Sequence, residues 1–155
     1  MPTLTDGETT VIGGYITQLT FLAQSNQGMF EKMYPRNNQT EIDSHMQWFQ
    51  SIFKPISSKF VRQMIGTKAF GDRQPSQAEL NEVWTEIHQM ILPRLEQHLK
   101  DKARNFFCSE DDVTIVDVQY YNEMQQISLL DSNRELEPEK FPEIAKWIAR
   151  VQKAF

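Results

Sequence analysis

Three histidines, His45, His88 and His98, are the side chains best suited to move a proton or hold a metal near neutral pH. His88 and His98 stand ten residues apart on one expected helix and His45 lies on another, so no two histidines share a face at i,i+4 spacing. Each is expected as a surface or half-buried imidazole, and no metal site is expected. Cys108 follows Phe106-Phe107 and precedes Ser109-Glu110-Asp111-Asp112. Nearby negative charge raises a thiol's pKa, so a buried structural cysteine is expected rather than a nucleophile. Glu110-Asp111-Asp112 lacks the glycine and distal glutamate of a calcium loop and reads as acidic residues ahead of a helix N-terminus. Met46, Trp48, Phe49, Phe53, Phe60 and Met64 recur at helical spacing, which suits a core or a subunit contact better than a substrate pocket. No catalytic residue emerges.

The composition narrows the function classes. The chain of 155 residues carries 16 Lys and Arg against 21 Asp and Glu, a net charge of −5. With no concentrated basic cluster, neither nucleic acid nor an anionic membrane is an expected partner. One cysteine excludes a disulfide framework and points to a reducing, intracellular compartment, cytoplasmic or organellar (mitochondrial, for example). Apolar runs of a few residues are too short for a transmembrane span. The first residues, Met1-Pro2-Thr3-Leu4-Thr5-Asp6-Gly7, show no cleavable leader.

The elements that must position these residues follow from periodicity and punctuation. Strand formers on both sides of Asp6-Gly7 predict a hairpin over 3–12, with Asp6-Gly7 as its turn. A short, largely buried helix is expected over 14–24, then a loop over 25–38 punctuated by Gly28 and Pro35. A long helix should run from about 38 or 40 to 65, bent at Pro55, followed by a polar break over 66–75. Ser76 with Glu79 forms a capping box for a second long helix ending near residue 101, kinked at Pro93. After a loop over 105–112, Thr114 and Asp117 make another box, and Val113 and Val118 are placed as its hydrophobic staple. Thr114 is expected to accept from the third helical N–H while Asp117 reaches back to the N–H of Thr114. Ile115, Val116 and Val118 are poor helix formers, so this helix, ending near 130, must be held by burial. A polar loop over 131–137 and a last helix opened by Pro142 complete a mainly α chain, a helical bundle preceded by a short β-hairpin and helix.

Several of these features occur together in a known order. Thr114-Ile115-Val116-Asp117, the Leu92-Pro93-Arg94-Leu95-Glu96 run closing at Leu99, Phe106-Phe107, and Pro142 followed by Trp147, Arg150 and Val151 resemble the C-terminal domain of the glutathione transferase superfamily. Tyr34-Pro35 and Ile42-Asp43 with Trp48 resemble the start of that family's first long helix, and the 57–75 excursion resembles theta-type members. Pro2-Thr3-Leu4-Thr5-Asp6-Gly7 is similar to the family's Pro-x-Leu-x-Asp-Gly. The resemblance implies a fold divided into residues 1–27, the last hairpin and helix of a thioredoxin-like half, and 28–155, the all-α domain. It implies that Pro2 matches the cis-proline of the glutathione site, with Thr3, Leu4, Gly13 and Gly14 as further remnants of that site. The family places its catalytic Ser, Tyr or Cys upstream of that proline. It also follows the hairpin with an acidic residue and a serine that bind the γ-glutamyl end of glutathione; here the stretch is Val11-Ile12-Gly13-Gly14-Tyr15.

The expectation is therefore a non-catalytic structural or interaction module without cofactor, an accessory subunit of a larger assembly. Other subunits would cover the hairpin edge and an exposed bundle face, with Leu4, Val11, Ile12, Met46, Phe49, Phe53 and Phe60 as the candidate interface. Family members serve in this way in elongation-factor gamma subunits and synthetase assemblies, and homodimerisation through the two long helices is compatible with every reading. The alternative is a glutathione transferase whose catalytic segment is supplied elsewhere, with glutathione as its cofactor; a weaker one is a binder of an apolar ligand.

Overall fold

A computed structural model of the chain describes residues 3–12, 14–25, 27–130 and 138–154. Met1, Pro2, Gly13 and the 131–137 connection, all named above, lie outside the described residues.

Strands β1 (Thr3–Asp6) and β2 (Thr9–Ile12) pair antiparallel as Thr3↔Ile12, Leu4↔Val11, Thr5↔Thr10 and Asp6↔Thr9. The ladder runs through Asp6, so the two-residue loop is Gly7-Glu8, one residue beyond the expected turn. Gly7 takes the positive φ of +56° that the first loop position demands, which glycine adopts without steric penalty. Helix α1 (Tyr15–Ser25) packs on β2. Residues 27–33, expected as loop, form a short helix α2 (Gln27–Met33) packed against α1. Gly28 disfavours a helix by about 1 kcal/mol, and tertiary contact overrides it: Met33 reaches the main core.

The bundle is built from two long, interrupted helices and two shorter ones. Helix α3 (Gln39–Trp48) passes through a π turn (Phe49–Phe53) into α4 (Lys54–Phe70); α5 (Gln77–Glu86) passes through a π turn (Ile87–Ile91) into α6 (Leu92–Lys102). Both π turns end two residues before the expected kinks, at Pro55 and Pro93. A proline ring clashes with the carbonyl four residues back, here Ser51 and Gln89, and has no N–H to give it. Widening that turn lets the chain run on, with the Lys54 N–H reaching the Phe49 carbonyl and the Leu92 N–H reaching that of Ile87. The bend predicted at each proline is thus realised as a one-turn bulge within a continuous rod.

The first rod continues to Phe70, beyond the expected end at 65, because Gly66 permits a close approach of the following turn. A Cβ there would lie 2.7 Å from Asp72 Oδ2, and the Asp72 N–H bonds the Gly66 carbonyl. The Ser76–Glu79 capping box forms as expected. Helix α6 ends less comfortably, with Ala103 held left-handed at φ 51°. Glycine adopts that conformation without the roughly 1 kcal/mol that a Cβ adds. Ala103→Gly is therefore expected to raise stability by about 0.5–1 kcal/mol, read as a higher midpoint in chemical denaturation.

Helices α7 (Ile115–Leu130) and α8 (Pro142–Ala154) complete the bundle. Helix α7 packs against α3, α4 and α8, which explains how β-branched residues stay helical there. The fully buried Phe49, Phe53, Phe60, Phe107, Tyr120 and Trp147 centre the core. Met46, Phe49, Phe53 and Phe60, expected as a possible interface, thus face inward and fill the bundle. The helical stripe that suggested a contact surface is spent on the chain's own core.

Two buried acids tie the helices together. Glu123 of α7 accepts from Lys54 Nζ at 2.8 and 3.0 Å and from Ser57 Oγ at 2.5 Å, fixing α7 to α4. Asp117 accepts from Thr114 N (2.9 Å) and Thr114 Oγ1 (2.6 Å) through Oδ2, and from Phe107 N (2.9 Å) and Trp147 Nε1 (2.8 Å) through Oδ1. The reach-back half of the expected box is present, while the Thr114 hydroxyl serves as a donor to the carboxylate. Glu96 of α6 caps α8 from outside, its carboxylate accepting from the backbone N–H groups of Glu143 and Ile144 at 3.0 and 2.9 Å.

Candidate functional site

An open cleft of about 760 Å³ lies between the N-terminal rod and α6, lined mainly by polar side chains with Trp48 and the core residue Leu95 among them. Glu41, His45 and Trp48 succeed one another at steps of four and three along α3 and so share one face. Arg94, His98 and Lys102 do the same at steps of four along α6. The π turns and prolines that keep both rods continuous bring these faces opposite one another. Across the cleft the Arg94 guanidinium sits over the Trp48 ring at 4.7 Å, and the His45 and His98 rings meet edge to face at 4.4 Å.

The two imidazoles are fixed from behind. The Tyr120 hydroxyl donates to the His45 carbonyl at 3.1 Å, and its oxygen lies 3.0 Å from His45 Nδ1. With the single hydroxyl proton on the carbonyl, Nδ1 is the donor to the phenol oxygen. His98 Nε2 lies 2.9 Å from the Phe107 carbonyl, which can only accept, so Nε2 carries the proton. His98 also stacks on the Phe107 ring, with centroids 5.5 Å apart and planes at 17°. The ring nitrogens left for a further partner are Nε2 of His45 and Nδ1 of His98.

Charge in the cleft is balanced. Glu41 accepts from Arg104 at 2.8 Å and has Lys102 at 3.6 Å. Burial pushes the Glu41 carboxyl up, but the Arg104 hydrogen bond and the charges of Arg104 and Lys102 outweigh it and hold the carboxyl below its ordinary value. Burial, with the neighbouring His98, pulls the His45 imidazole down to about 4, so it is uncharged at neutral pH.

The residues expected to carry function are arranged differently. Thr3, Leu4 and Gly14 belong to the hairpin and the start of α1, and none lines the cleft. Leu4 and Val11 are half-buried, while Ile12 is 66% exposed and Leu22 of α1 is 47% exposed. Cys108 is buried, and burial with the nearby Asp117 and Glu41 pushes its thiol well up, which disfavours the thiolate. His88 packs against Trp84 and Phe141, with centroids at 4.7 and 5.7 Å. Val113, Thr114, Asp117 and Val118 build the fold, Thr114 and Asp117 being fully buried. Spacing between histidines could not reveal the cleft. The signal available in the sequence is Glu41 four residues before His45, while His98 joins them only through the tertiary fold.

The sequence model of the glutathione S-transferase C-terminal domain family matches residues 60–154. The chain belongs to that family. Two solved glutathione S-transferases share its architecture. Human glutathione S-transferase T1-1 in its apo form superposes with a TM-score of 0.75 at 18% identity, over 99% of this chain and 62% of that one. Glutathione S-transferase 1-6 from Anopheles dirus species B gives 0.69 at 19% identity, over 99% of this chain and 66% of that one. At such identities the likeness speaks to the fold, and the chain spans less than two thirds of the length of either transferase. A search of the curated proteins by sequence finds no match. Among the described residues, no helix is long and apolar enough to cross a membrane.

Proposed function

We propose that this glutathione S-transferase family domain is a non-catalytic structural and interaction module, an accessory subunit within a larger protein assembly. The observation that carries the reading is Gly13-Gly14-Tyr15 standing after the hairpin, where the family pattern has an acid followed by serine. A zwitterionic amino-acid group is held by charge-assisted hydrogen bonds, and glycine has no side chain to make them. The outward apolar surface of Ile12 and Leu22 and the two-stranded sheet of the hairpin suit cover by protein rather than by water. In this reading residues 1–27 present the contact edge and 28–155 provide the rigid body behind it.

A second reading has one specific support. The matched transferases are longer than this chain, and glutathione chemistry supplied by a further segment would make it the helical part of an enzyme. Passage of the purified chain over glutathione resin, titration calorimetry with glutathione and a chlorodinitrobenzene conjugation assay separate the two. No retention, no heat and no turnover are expected. Glutathione binding at millimolar concentration or below, or measurable conjugation, overturns the module reading in favour of the enzyme.

A further inference from the structure

We propose that Glu41, His45 and His98 form a three-ligand site for a divalent transition-metal ion, zinc by the chemistry of its donors, with the fourth position open to the cleft between α3 and α6. One carboxylate oxygen and one nitrogen from each histidine lie within 4.8 Å of one another. Two imidazoles and a carboxylate with an open position is a donor set that suits zinc in an open site.

What sets this cluster apart from a chance meeting of polar side chains is the support behind each donor. Imidazoles that bind metals usually donate their other N–H to an oxygen, which fixes the tautomer and aims the lone pair. Both are placed for it here: His45 Nδ1 lies 3.0 Å from the Tyr120 oxygen and His98 Nε2 lies 2.9 Å from the Phe107 carbonyl. The acceptors belong to the packed core, Tyr120 and Phe107 being fully buried, so the rings are held before any ion arrives. The carboxylate is backed in the same way, Arg104 holding Oε2 at 2.8 Å and leaving Oε1 to the looser Lys102 at 3.6 Å. The Lys102 side chain is 47% exposed and can swing into water as the ion takes its place.

The geometry demands a modest adjustment. Bonds of about 2.0–2.2 Å in a tetrahedral arrangement put neighbouring donors roughly 3.3 Å apart. The donors, at most 4.8 Å apart, therefore close by up to about 1.5 Å through small side-chain torsions of half-buried Glu41 and of the two rings. An exchangeable ligand from the cleft completes the coordination. The site does not depend on whether the domain has glutathione chemistry, since no hairpin residue contributes to it.

Cobalt(II) is the direct probe, because a tetrahedral cobalt centre absorbs strongly in the visible while the aquo ion does not. Titration of the intact chain should give one equivalent of cobalt with that spectrum, displaced by zinc at one equivalent, and zinc should raise the melting temperature. Glu41→Gln and His98→Gln should each weaken binding at least ten-fold, Tyr120→Phe by about ten-fold through loss of the rear hydrogen bond, and His88→Gln should bind as the parent does. Should His98→Gln fail to fold, Glu41→Gln decides, because its amide keeps the shape of the carboxylate on a half-exposed side chain. Absence of a tetrahedral cobalt spectrum at a hundred-micromolar excess overturns the assignment. So does undiminished binding by Glu41→Gln, or loss of binding in His88→Gln.

Discussion

Asp117→Ala is expected to destabilise the chain by about 4–5 kcal/mol, a large part of the 5–15 kcal/mol that holds a typical domain folded. The carboxylate is fully buried and accepts from four donors that belong to three segments: the N-terminus of α7, the loop through Phe107 and the Trp147 indole of α8. Burial pushes this carboxyl up, and the four donors pull the other way. Alanine leaves the N–H groups of Phe107, Thr114 and Trp147 buried without their acceptor, each a loss of about 1–3 kcal/mol. Asp117→Asn keeps the oxygen toward Phe107 and Trp147 but sets an NH2 group against the Thr114 N–H, so about 2 kcal/mol is expected. Urea denaturation of the two variants beside the parent measures both figures. A loss below 1 kcal/mol for Asp117→Ala contradicts the account.

The second large effect is acid lability centred on His45. Its folded-state pKa of about 4 lies below the ordinary value of 6.5. Between these two pH values the unfolded chain binds a proton that the folded chain refuses. Stability therefore falls as pH drops from about 6.5 to about 4, by roughly 3 kcal/mol in total, and is flat in this contribution above and below. The neighbours set the sign. Burial and the charges of His98, Arg94 and Lys102 oppose protonation, and Glu41 alone favours it. Glu41 adds a smaller loss in the same direction at lower pH, since its own pKa is depressed. Denaturation midpoints of the parent at pH 7 and pH 4.5 should differ markedly, and His45→Gln should flatten that difference. Equal slopes for parent and variant would remove His45 as the cause.

These two residues illustrate how far local pattern reaches. Asp117 was legible as the partner of Thr114, three residues away, because a capping box is a property of four consecutive residues. Its bonds to Phe107 and Trp147, which make it the junction of the bundle, join positions ten and thirty residues distant. His45 stood out only as an isolated imidazole. Its burial, its bond to Tyr120 and its meeting with His98 depend on the packing of α3, α6 and α7.

The same division runs through the whole molecule. By itself the sequence determined the helical rods, the capped start of α5, the reach of Asp117 back to Thr114 and the apolar stripe of the first rod, since hydrophobic period, capping chemistry and proline act over a few residues of chain. The order of those motifs marked the family. Only the tertiary structure decided that residues 27–33 are helical against α1. It also decided that Met46, Phe49, Phe53 and Phe60 are core rather than surface, and that Glu96 caps a helix some fifty residues onward. It alone placed Glu41, His45 and His98 around one cleft. Most of these outcomes are contacts between chain segments far apart in sequence, and such contacts are selected by the packing of the whole core, which no local window contains.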